Sequence, residues 1–153
     1  MKNTLVLGLF LAFASTAQAQ VNLKSLESKA ASTTTGQQIS TLLTSVESNI
    51  KPEAKTTEFS TTKKTSWLDS AKKAATSEQG AALLSQLASG LKSTSFGSGW
   101  AAIKDKWFAS AKTTNTNSGL KTLASQLVSN INTSSFTNAN SKTTLDGLIG
   151  AIK

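Results

Sequence analysis

After the initiating Met1, the chain has no histidine, cysteine, tyrosine, arginine or methionine. The side chains left that could act as nucleophile, acid or base are serine, threonine, lysine and eight carboxylates. That set lacks the usual general base, the thiol nucleophile and the soft metal ligands. A serine–lysine dyad needs a desolvated lysine beside an exposed serine, and in a chain so rich in both types no spacing singles one out. The carboxylates (Glu27, Glu47, Glu53, Glu58, Asp69, Glu78, Asp105 and Asp146) do not cluster, and none follows the alternating pattern of a calcium loop around a glycine. The expectation is a non-enzymatic protein with no catalytic, cofactor-binding or metal residue and no cofactor.

Contacts through shape and charge are what remain. All sixteen basic residues are lysines, and the formal net charge is +8. Without arginine's bidentate fork, specific nucleic-acid reading is not expected. Lys72 and Lys112 are the candidate surface charges, because they stand at matching positions of an internal repeat. Of the three tryptophans, Trp67 and Trp107 also match each other, which suits a core role, whereas Trp100 falls opposite Ser60 and is the candidate exposed contact. Glu47 with Lys51, and Asp69 with Lys73, have the i, i+4 spacing of helix-surface ion pairs.

The repeat emerges when the chain is slid against itself by forty residues: Trp67 to Phe96 then lies on Trp107 to Phe136 without a gap, with twelve of thirty positions identical. Leu42 to Lys51 falls on Leu83 to Lys92 at an offset of forty-one, and Leu26 falls on Trp67. Asp146 to Lys153 can be laid on Asp105 to Lys112. Within each unit the apolar spacing is helical. Ile39, Leu42, Val46 and Ile50 share a face, as do Leu120, Leu123, Leu127 and Ile131, and a second helix carries Trp100, Ile103, Trp107 and Phe108. Breaks rich in Ser, Thr, Asn and Gly at 76–80, 93–99 and 115–119 suit caps and turns. The expected fold is all-α, with about three and a half helical hairpins of about forty residues in an open solenoid-like stack; the alternative is a closed helical bundle. Large apolar residues make up roughly 22% of the chain beyond residue 19, so the core must be thin.

The first residues set the compartment. Lys2, an apolar run from Leu5 to Ala14 and the small-x-small sequence Ala17-Gln18-Ala19 read as a cleavable signal peptide over residues 1–19, leaving Gln20 first in a repeat domain of residues 20–153. The apolar run is about half of the roughly 20 residues needed to span a bilayer, and no later stretch is long enough, so no transmembrane segment is expected in the mature chain. Periplasmic or secreted localisation follows, and the absence of cysteine leaves stability to packing. The expected function is a binding or scaffold protein whose partner is another protein or a cell-envelope polymer. The alternative is a surface-active protein that binds anionic membrane or polymer through lysine-rich helix faces. Asn132-Thr133-Ser134 fits the N-glycosylation pattern, and Asp69-Ser70-Ala71 is similar to a short O-glycan acceptor motif of some exported proteins.

Overall fold

A computed structural model describes residues 35–153. The expected signal peptide and the weak repeat copy at Leu26 lie outside the described residues. Over this span the chain is all-helical: α1 (Thr35–Asn49), α2 (Lys64–Lys73), α3 (Ser77–Ser89), α4 (Trp100–Thr113), α5 (Asn117–Asn130) and α6 (Ser141–Ala151). The described residues contain three isolated antiparallel bridges and no strand.

Helix starts follow the local chemistry. Thr76 caps α3 in a capping box: its hydroxyl accepts from Gln79 N at 3.2 Å while the Gln79 side-chain oxygen Oε1 accepts from Thr76 N at 3.3 Å. Thr116 caps α5 by accepting from Gly119 N at 3.1 Å. These caps put the helix starts at Ser77 and Asn117, so most of the two breaks expected at 76–80 and 115–119 is first-turn helix instead. Gly80 sits inside α3 for a packing reason: a Cβ there would lie 3.0 Å from Ile39 Cγ2 and 3.0 Å from Leu120 Cδ2. α1, α3 and α5 converge at that point.

The helices pack in two sets, α1, α3 and α5 meeting at Gly80 and α2, α4 and α6 around them, although α6, with five of eleven residues buried, is no more exposed than α5, with five of fourteen. α1 buries ten of its fifteen residues, whereas α4 buries only Trp100, Trp107 and Ala111 of its fourteen. α3 rests on α1 and α5, forming the inner set. Outside it, α2 lies against α1 and α3, α4 against α3 and α5, and α6 against α5 and α1. The last helix therefore touches the first.

Each inner helix ends in a short 3-10 turn: η1 (Pro52–Ala54), η2 (Ser93–Ser95) and η3 (Thr133–Ser135). The turns bond to one another through the backbone. Lys92 N donates to Ala54 O at 2.9 Å, Asn132 N to Ser95 O at 2.8 Å and Lys51 N to Ser135 O at 2.9 Å. A second set runs alongside: Thr56 N to Gly90 O, Gly97 N to Asn130 O and Thr137 N to Asn49 O, each at 2.8 Å. Within each set every turn gives to one neighbour and receives from the other, the two sets running in opposite senses, and the bridges Lys55 to Leu91, Phe96 to Ile131 and Phe136 to Ile50 join the same pairs.

Candidate functional site

The turn after α1 carries the most unusual chemistry. Where the other two turns place Phe96 and Phe136 in the bridge position, this one places Lys55. Its ammonium points back onto α1 and donates to Glu47 Oε1 at 2.5 Å, with the two side chains only 3% and 4% exposed. Lys64, at the start of α2, approaches the same oxygen at 3.6 Å from a half-open position. Burial lowers the Lys55 pKa from its ordinary value, against the opposing pull of Glu47's hydrogen bond and charge, and the Lys64 charge lowers it further. Glu47 occupies the place of Ala88 and Val128 in the other inner helices at the repeat spacing, so both partners of the pair replace apolar residues together. With so little exposure this ammonium is closed to a substrate, and it acts as an internal electrostatic tie between α1 and η1.

The expected Glu47–Lys51 pair does not form. α1 ends at Asn49, and Lys51 leaves the helix to bond Ser135 O through its backbone. Asp69 and Lys73 are not among the ion pairs of the described residues either; Lys63 pairs with Glu58 instead, at 3.0 Å on the surface.

All three tryptophans are buried. Trp67 Nε1 donates to Leu83 O and Trp107 Nε1 to Leu123 O, each at 2.9 Å and each across sixteen residues. Trp100, expected to be exposed, is 7% exposed instead. It stacks on Phe96 with ring centroids 4.5 Å apart and meets Trp107 and Phe108 edge-on at 5.4 and 6.1 Å. Its counterpart in the first hairpin is Phe59 rather than Ser60. A π-helical stretch, Phe59–Lys63, leads into α2 and takes up one extra residue, which shifts the alignment there by one. A gap-free comparison hides that shift.

Lys72 and Lys112 are exposed in the last turns of α2 and α4. The two are not brought together into one cluster with other titratable groups. An open groove of about 330 Å³ between α2 and α3 is lined by Ser70, Lys73, Gln79 and Gln86 among others, and Ser70 is exposed there. The Asn132 amide is already engaged, donating to Thr94 O at 3.1 Å and Phe96 O at 3.2 Å, which leaves it unavailable as a glycan acceptor in the folded chain. Among the described residues no group of three or more acidic, histidine or cysteine side chains is placed to hold a metal ion, and no helix is long and apolar enough to cross a membrane.

No family model matches the chain, and no curated protein and no solved structure shows significant similarity to it.

Proposed function

We propose that this chain is an exported, non-enzymatic binding or scaffold module: three helical hairpins, α1–α2, α3–α4 and α5–α6, closed into a ring with approximate threefold symmetry. The observation that carries the reading is the cyclic bonding of the turns, in which Lys51, Lys92 and Asn132 each donate to the preceding turn around the ring. An open stack would leave the first and last turns without each other, so the bonds favour the closed bundle. A second belt supports closure from the opposite end. Ser77 donates to Asn117, Asn117 donates to Lys153 O, and Lys153 N donates to Gln38 at 3.3 Å.

In such a body α1 is largely consumed by packing, while α2, α4, the outward sides of the other helices and the first two residues of every turn reach solvent. Binding through that surface is the function it suits best, in the compartment the leader sequence addresses. The test is capture of envelope components on the immobilised chain starting at Gln20, with mass measurement before and after release. A retained component of unchanged mass is the expected result. Release of a chemically altered component would make the protein an enzyme and overturn the reading.

A further inference from the structure

We propose that the outer face of α4 docks on an anionic lipid surface, an inference that rests on the reading of the chain as a binding module. On α4, Lys104, Phe108 and Lys112 follow i, i+4, i+8, which sets them in one row about 12 Å long. On α2, Lys64, Leu68 and Lys72 have the same spacing, but Lys64 leans on Glu47 at 3.6 Å and the row faces another side of the ring, so α4 carries the docking face. Lys104 and Lys112 are exposed. Phe108 is partly buried, packed on the core with one side outward.

Charge favours an anionic partner. α4 carries three lysines against Asp105 alone. The apolar residue between the two lysines of the row favours lipid over a soluble polyanion. Lysine stems lie along apolar surface while their ammonium groups reach phosphate, and an outward aromatic edge meets the acyl boundary. A soluble polyanion has nothing to offer Phe108.

The experiment is co-sedimentation of the mature chain with vesicles of phosphatidylglycerol mixed into phosphatidylcholine, and with phosphatidylcholine alone. Binding is expected only with phosphatidylglycerol, and it should fade as salt rises from about 50 to about 500 mM. Each lysine of the row should contribute about fivefold, so Lys104→Gln with Lys112→Gln should lower partitioning about 25-fold. Lys92→Gln, off the row at the turn end of the bundle, should change it by less than about twofold. Phe108→Ala should weaken vesicle binding while leaving retention on dextran sulfate unchanged. The lysine variants, which touch no core residue, decide the matter if Phe108→Ala does not fold. Equal binding to neutral vesicles, an equal loss from Lys92→Gln, or retention on dextran sulfate without vesicle binding would overturn the proposal. Envelope capture that succeeds while vesicles fail removes this inference and leaves the binding module standing; failure of both removes the module as well.

Discussion

Burial lowers the pKa of Lys55 from 10.5 even though Glu47 accepts its hydrogen bond at 2.5 Å. Desolvation therefore outweighs what the partner returns, the usual outcome for a buried ion pair. Removing Glu47 leaves the Lys55 ammonium buried without its partner, whereas removing Lys55 leaves Glu47 only the more distant Lys64, at 3.6 Å. Glu47→Ala should destabilise by about 3–5 kcal/mol in urea unfolding, and Lys55→Ala by less, since Lys64 stays within reach of Glu47. The double variant Glu47→Ala/Lys55→Phe, which installs the residues found at positions 88 and 96, should equal or exceed the wild type by up to about 4 kcal/mol. Additive losses in the double variant would show that the pair is a net stabiliser. The pH dependence has a definite sign. Between its folded pKa and 10.5, Lys55 binds fewer protons folded than unfolded, so its contribution to stability rises with pH across that window. The stability gap between wild type and the double variant should narrow as pH approaches 10.5; a gap that widens would contradict the assigned direction. The pair was half legible in the sequence. Glu47 drew attention through its spacing to Lys51, but its partner lies eight residues on, beyond the helix end, where i, i+4 reasoning has no reach.

Among the elements, the three hairpins differ where a large residue in one meets a small residue in the next. Phe59 lies over Gly90, so a Cβ on Gly90 would come within 2.5 Å of the ring. Gly90 has φ −83°, so its backbone needs no glycine and the close approach alone explains it. Gly90→Ala should destabilise by about 1–3 kcal/mol by thermal unfolding despite the better helix propensity of alanine. A stabilised variant would mean that the ring moves aside freely. The turns differ in a hydroxyl. Ser95 Oγ donates to Ala54 O at 2.7 Å and Ser135 Oγ to Ser95 O at 3.4 Å, while Ala54 has no hydroxyl to give to Ser135 O. Ala54→Ser should supply the missing bond and stabilise by about 0.5–1.5 kcal/mol. A loss of similar size would show that the first turn is not equivalent to the others. Helix periodicity made the elements readable from the apolar residues. The π-helical stretch left a trace only in the change of offset from forty-one before Lys51 to forty from Trp67, and setting Trp100 against Ser60 at the later offset missed it. That change is why Trp100 looked unmatched.

For the molecule as a whole, the proposed ring turns on a few backbone bonds between residues far apart in sequence. Such bonds carry no side-chain signature, so a repeat period of about forty residues fits an open stack and a closed ring alike. The apolar content expected of a thin core did not separate them either, since α1 buries Gln38, Ser40, Thr41 and Ser45 along with its aliphatic face. What distinguishes the two is the contact of α6 with α1 and the seating of Ser141 Oγ on Asn49 Oδ1 at 3.0 Å. Amide hydrogen exchange tests closure most directly, because six equivalent amides divide cleanly between the two arrangements. Lys92, Asn132, Thr56 and Gly97 bond between successive hairpins and are protected in either; Lys51 and Thr137 bond between the first hairpin and the last. The ring predicts that the Lys51 and Thr137 amides exchange as slowly as the other four. If those two exchange at the rate of exposed amides while the other four stay protected, the bundle is open and the account fails.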